Sequence, residues 1–367
     1  MPILIKCTVT ADTLLTVHLK IKRSNKYESL RLVNIRTNVF NCQNFVSFSM
    51  KRLAILTALI IPLFFCTSWG FFAQQRINNL AIFTLPSGMI GFYKKNIKYV
   101  TEHAVDPDKR RYADTLEPPR HYLDVENYEK TIDSIPEKWN DALAKYGSKS
   151  LNANGILPWQ IQRTYYSLIK AFKTRDSIKI LKYSADLGHY IGDAHVPLHT
   201  TSNHNGQLTN QVGIHAFWES RLPELFSSKY NYVVGRASYL ENPLKEAWKI
   251  LKHTHSLVDT VLNTEARLAA SFPSDQKFSF SERNNAVLKQ YSIAYSKAYH
   301  DKMNNMVEKQ MRSAILEIGN FWFSAWVDAG QPELKNLIKI ELEPDARKEE
   351  SDTEKKYQKG KIIGREI

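Results

Sequence analysis

Residues 177–199 read SIKILKYSADLGHYIGDAHVPLH. A helical period runs from Ser177 to Ile191 and carries directly into His189-Tyr-Ile-Gly-Asp193-Ala-His195-Val-Pro-Leu-His199. His189 and Asp193 are four apart, so on a helix they project from one face about one turn from each other. Pro197 ends the regular helix and can turn His199 toward the same pocket. The polar stretch Thr200 to Gly213 comes next as a loop, and a short helix beginning near Ile214 carries His215-Ala-Phe-Trp-Glu219, again spaced by four.

The same helical period recurs on both sides. Upstream, Phe72 to Phe83 and Gly88 to Val100 read as helices joined at Leu85-Pro86-Ser87-Gly88. Asp106 to Asp124 is turn-rich and charged, with Pro107, Pro118 and Pro119 blocking a continuous helix. Tyr128 to Tyr146 and Trp159 to Thr174 are helical candidates, and Pro158 opens the second. Downstream, Glu241 to Ser271 and Asn284 to Trp326 are long amphipathic stretches whose Leu, Ile, Trp and Phe residues form a bundle core. Alternating strand patterns are scarce. The expected fold class is all-α, one multi-helix domain over residues 69–340, with a charged, mobile tail over 341–367.

The chain has 367 residues, 43% apolar and 24% charged, with a formal net charge of +13. That composition excludes a disordered or collagen-like chain, and no apolar run reaches the roughly 18–20 residues that span a bilayer. The N-terminus reads as an export signal: Met50-Lys51-Arg52, the apolar run Leu53 to Phe65, then Cys66-Thr67-Ser68. Phe65 is too bulky for a lipoprotein site at Cys66. Cleavage after Ser68 makes Trp69 the new N-terminus and the protein exported, periplasmic or secreted. Residues 1–49 then read as an extension from a mis-assigned start, with the signal peptide over 50–68. All three cysteines (Cys7, Cys42, Cys66) fall before residue 69, so the exported domain has no disulfide and relies on its core, on bound metal, or on both. Residues 1–68 carry nine Lys/Arg against two Asp/Glu, which leaves a modest +6 for the rest.

Five histidines lie within 27 residues, His189 to His215, and four of them (His189, His195, His199 and His215) stand at orderly spacing. Imidazole nitrogens and carboxylate oxygens suit zinc, and cavities between helices are where bundle metal sites form. One His–acid pair at this spacing is an ordinary surface pair. Two such pairs plus His199 are a metal-site pattern. Asp106 and His121, 15 apart in a loop region, read by themselves as turn residues. His195 reads as structural or as a neighbour of the ligands, and His103, His204, His253 and His255 as packing or surface residues. Tyr122, Phe217, Trp218 and Trp159 read as core aromatics.

Taken together, the signal peptide, Trp69-Gly70, the Asp–His pair 15 apart, His-x3-Asp-x5-His and His-x3-Glu resemble the zinc-dependent phospholipase C and S1/P1 nuclease superfamily. The stretches WGFFAQQRIN, EHAVDPDKRRYAD, GHYIGDAHVPLHTTSNHNGQ and GIHAFWESRLPELF are similar to bacterial zinc-dependent phospholipase C proteins. The specific motifs cover Trp69 to about Glu219. The resemblance implies a cluster of two to three zinc ions in a cleft between helices. It assigns Asp106, His121, His189 and Asp193 to one ion and His199, His215 and Glu219 to a second. The amine and carbonyl of Trp69, a histidine five residues later and a bridging Asp193 would hold a third. Gln74 stands where that histidine is expected, and an amide oxygen is a much poorer zinc ligand.

The resemblance implies an exported zinc-dependent hydrolase of phosphate esters, working through a metal-activated water, with Asp106 as a catalytic base. A phospholipid headgroup is the favoured substrate, because Glu219 resembles the phospholipase branch. A single-strand nuclease is the first alternative and a non-catalytic zinc protein the second. No stable protein partner is implied, and the oligomeric state is not set by the sequence.

Overall fold

The computed structural model describes residues 3–10, 14–23, 26–36, 71–283, 286–335, 337, 344–360 and 362. Contacts divide the chain into two units, Met1–Leu63 and Phe64–Ile367. The first holds an antiparallel three-stranded meander of β1 (Ile3–Thr10), β2 (Leu14–Arg23) and β3 (Lys26–Arg36). Its register pairs Ile5 with Leu19 and His18 with Arg31. The sequence over Val17 to Lys22 alternates apolar and polar residues, the period of a strand. The signal-peptide segment and Trp69 lie outside the described residues.

The second unit is mostly helical. It opens with α1 (Phe71–Ala81), α2 (Ser87–Lys95), α3 (Ile97–Glu102) and α4 (Asp106–Arg110). The expected helix from Gly88 to Val100 is therefore interrupted, at Asn96. Next come α5 (Trp139–Asn154), α6 (Leu157–Lys173) and α7 (Ser177–Ala194). The helix expected from Tyr128 starts only at Trp139, because Pro136 lies in the way. Beyond these lie α8 (Pro243–His255) and α9 (Val258–Ser271), and after a hairpin α10 (Ile293–Lys302), α11 (Met306–Asp328) and α12 (Pro344–Gln358). The hairpin strands are β4 (Phe278–Arg283) and β5 (Ala286–Tyr291). The stretch from Asn284 to Trp326 is thus strand first and helix only from Ile293. No helix among the described residues is long and apolar enough to cross a membrane.

Helix α7 is the axis of the unit, and its local chemistry explains its position. The Asp176 side chain caps it by accepting from the Lys179 amide at 3.0 Å. Nearly all of the helix is buried, which small residues make possible. A Cβ on Gly188 would overlap the Asn78 amide, and one on Gly192 would overlap the Gln74 amide oxygen and Ile77. Both glycines therefore allow α1 to lie close against α7. On another side Trp322 of α11 donates its indole N–H to the Ser184 carbonyl at 3.0 Å. Tyr93 stacks on Trp322 with ring centroids 5.1 Å apart and bonds the Ser184 hydroxyl. Trp248, Trp322 and Phe172 are fully buried, and each contributes roughly 1.5–3 kcal/mol through removal from water. The C-terminal helix α12 places Tyr357 against Phe71 and Tyr112, and its Glu354 pairs with Lys109 at 3.2 Å.

Candidate metal centre

Side chains from α4, the 3-10 turn Pro118–His121 and α7 meet beneath the surface. His189 and Asp193 lie one turn apart on α7, and both are buried. His121 ends its turn fully buried, with Nδ1 2.9 Å from Asp193 Oδ2 and 3.1 Å from His189 Nε2. His189 Nε2 is 3.2 Å from the same Asp193 oxygen. Asp108 Oδ1 completes the group, 3.8 Å from His121 Nδ1 and 3.9 Å from His189 Nε2.

The second group comes from the next segments of chain. Pro197 opens the 3-10 turn Pro197–Thr200, which presents His199. His215 lies in the helical turn Ile214–Ala216, and Glu219 in the adjoining π-helical turn Phe217–Arg221. His215 Nε2 is 2.8 Å from Glu219 Oε2 and 3.2 Å from His199 Nε2, and His199 Nε2 is 3.5 Å from the same carboxylate oxygen.

Both groups fit a cation, and the donor chemistry shows why. For bonds of about 2.0–2.1 Å to nitrogen or oxygen, the edge of a coordination tetrahedron is about 3.3 Å. The donor separations in both groups scatter around that length. The tautomers also agree. His189 Nδ1–H donates to the Ala104 carbonyl at 2.9 Å, His199 Nδ1–H to the His121 carbonyl at 2.6 Å, and His215 Nδ1–H to the His204 carbonyl at 3.2 Å. Each of these rings therefore turns the lone pair of Nε2 toward its group, an orientation fixed by outer hydrogen bonds as metal-binding histidines require. Asp108, His121 and His189, and separately His199, His215 and Glu219, could each hold a metal ion.

The electrostatics have the same sense. Burial would raise the Asp193 carboxyl, but the rings of His189 and His199 and the hydrogen bond from His121 hold it well below the usual carboxylate range. Burial opposes ionisation of Glu219 too, and hydrogen bonds from His199 and His215 bring it down to about 2. Burial lowers His189, yet the charges of Asp193 and Asp108 outweigh this and raise it to about 9. This pocket accumulates negative charge and accommodates positive charge. No protein-family model matches the chain, and no curated protein matches it.

The structure brings together His121, His189 and Asp193, and His199, His215 and Glu219. It does not bring Asp106 to them. The Asp106 carboxylate takes the His103 Nδ1–H at 2.6 Å and lies 4.0 Å from Lys109 Nζ. Asp108 occupies the place expected of Asp106. The two residues stand about 200° apart around α4, so only one can face the ligands. The carboxylate expected to act as a base is thus hydrogen-bonded to His103, outside this group.

Gln74 departs from the expectation in a different way. Its amide N–H donates to Asp193 Oδ1 at 2.7 Å, and its amide oxygen is buried with no hydrogen-bond partner. A donor N–H facing the carboxylate is not a metal ligand, so Gln74 braces Asp193 and does not fit a third cation. Trp69, the other expected ligand there, lies outside the described residues. His195 is structural: Nδ1–H donates to the Ile191 carbonyl at 2.8 Å, Nε2 meets Ser313 Oγ at 3.2 Å, and burial depresses its pKa to about 4.

Sequence reasoning missed Asp108 and Glu117. The signal for Glu117 was present, since Glu117-Pro-Pro-Arg-His121 repeats the four-residue acid–histidine spacing of the other pairs. The two prolines hid it by marking the segment as a turn.

Proposed function

We propose that this chain is an exported zinc-dependent hydrolase of phosphate esters, phospholipase C-like in its substrate. The observation that carries the reading is that the two ligand groups share a wall. Asp193 gives Oδ2 to the first group, while its Oδ1 lies 4.0 Å from His199 Nδ1 of the second. His199 in turn holds the His121 carbonyl, and the Leu123 amide donates back to the His199 carbonyl at 2.9 Å. Cations held by two groups joined in this way would suit a phosphate-ester substrate.

When bound, such cations supply an activated water near neutral pH and offset charge on the phosphate oxygens. The chain's own part is orientation and retention. His121, His189, Asp193 and Asp108 would hold one ion, and His199, His215 and Glu219 the other. Three protein ligands in the second group leave room for water or substrate, the pattern of a working site and not a closed structural one. Gln74 fixes the free oxygen of Asp193, so that carboxylate keeps one orientation.

The nuclease alternative asks for aromatic rings exposed beside the metals for base stacking. Phe217 and Trp218, next to His215, are buried, and Phe217 stacks between Tyr291 and Tyr299. That supports the phospholipid reading over the nucleic-acid one. The deciding experiment loads the exported protein with zinc and offers mixed phospholipid vesicles in one arm and single-stranded DNA and RNA in the other. Release of phosphorylated headgroup alone is expected. Release of nucleotides alone would overturn the reading in favour of the nuclease. Bound zinc with silence in both arms would favour a non-catalytic zinc protein.

A further inference from the structure

Three of the four ligand imidazoles are braced from behind by main-chain carbonyls. His121 is not. It presents Nδ1 to the cation group, and its Nε2 is buried with no hydrogen-bond partner. The nearest acceptor given for that nitrogen is the Glu117 carboxylate, with Oε1 3.5 Å away.

Glu117 is itself fully buried, which for a carboxylate demands compensation. Its Oε2 accepts from Arg110 Nε at 3.2 Å and from Arg120 Nη1, so that oxygen is saturated. Its Oε1 accepts from the Tyr190 hydroxyl. Arg110 is tied in turn to Asp186 at 3.1 Å. An ionised carboxylate oxygen accepts two hydrogen bonds, so Oε1 has one acceptor position left. That oxygen is the one facing His121. His121, and then Arg110 and Arg120, hold the carboxylate well below the usual range against the opposing effect of burial.

We infer that Glu117 is a positioning residue for the first cation group, acting through His121. A neutral His121 that offers its Nδ1 lone pair must carry its proton on Nε2, and Glu117 Oε1 is where that proton points. A bound cation draws electron density from the ring and makes Nε2–H a stronger donor, which closes the 3.5 Å gap into a hydrogen bond. The carboxylate then fixes the tautomer and the ring plane and strengthens His121 as a ligand. The second group has only carbonyl braces and gains nothing from Glu117. The first group is therefore the tighter of the two.

This inference rests on the metal reading of the site, and the test separates the two. Cobalt(II) is titrated into the exported full-length domain and its Glu117→Gln variant, with visible absorption and a competing chelator reporting each site. Two binding phases are expected for the unaltered protein. In Glu117→Gln the tighter phase should weaken by about 10–100-fold while the weaker phase is unchanged. If the unaltered protein binds no cobalt, the metal reading fails. If it binds in two phases and Glu117→Gln leaves both unchanged or weakens both equally, only the role of Glu117 fails. Should Glu117→Gln not fold, Tyr190→Phe serves instead, because it frees Oε1 for His121 and keeps the carboxylate. The tighter phase should then be retained or strengthened, and its selective loss would overturn the inference.

Discussion

His121 Nδ1 and His189 Nε2 face each other across 3.1 Å, and His189 has already committed its Nδ1–H to the Ala104 carbonyl. Two nitrogens meeting so closely, with the Asp193 oxygen within 3.2 Å of both, need either a shared proton or a cation between them. A cation satisfies all of these donors together. Zinc should therefore raise thermal stability strongly. At free zinc about 1,000 times the dissociation constant the gain is about 4 kcal/mol. Calorimetry with zinc and then with a strong chelator measures it. An unchanged midpoint would count against the cation groups.

The two aspartates of α4 separate cleanly by substitution. Asp108→Asn removes a charge beside His121 and His189 and should lower zinc stoichiometry or affinity at the first group. Asp106→Asn only breaks the contact to His103 and should leave zinc binding as it was. Equilibrium dialysis of both variants reads the difference. The reverse ranking would restore Asp106 as the ligand.

Gln74→Leu should destabilise the protein by about 1–3 kcal/mol, because Asp193 Oδ1 loses a buried partner. Chemical denaturation of the zinc-free protein measures this. A change below about 0.5 kcal/mol would mean that the amide does not brace the carboxylate.

His189 sets the pH behaviour. Its pKa in the folded protein, about 9, lies above the 6.5 of an ordinary histidine. In the zinc-free protein its contribution to stability is therefore complete below about pH 6.5 and is lost as pH rises through about 9. Zinc binding demands the neutral ring, so near pH 7 it should expel about one proton from this residue, and none above about pH 10. Calorimetric titrations in two buffers of different ionisation enthalpy count that proton. An equal heat in both buffers at about pH 7 would refute the assignment.

How far the residues spoke for themselves depended on the range of the information. His189, Asp193, His215 and Glu219 were legible because helical spacing is local, and Pro197 marked the turn that presents His199. Choosing between Asp106 and Asp108 was not local: it depends on the phase at which α4 starts and on which face meets α7. Glu117 hid behind two prolines. Strand β5 lies inside the stretch from Asn284, whose apolar residues also suit a helix, and β4 lies in the gap before it, although the run Phe278-Ser-Phe-Ser281 alternates as a strand does. The sheet β1–β3 lies in a segment that reads as an extension ahead of a leader, although Val17 to Lys22 alternate plainly.

Gln74 occupies a slot that Gly192 leaves free of any side chain on α7. Imidazole and the glutamine amide take up similar room, so the slot does not dictate which of them is present. The codons for glutamine and histidine differ only in their final base. A single-base change therefore separates a chain that steadies Asp193 with an amide from one that sets another imidazole beside it. Gln74→His should therefore leave the helices where they are and place another imidazole beside Asp193.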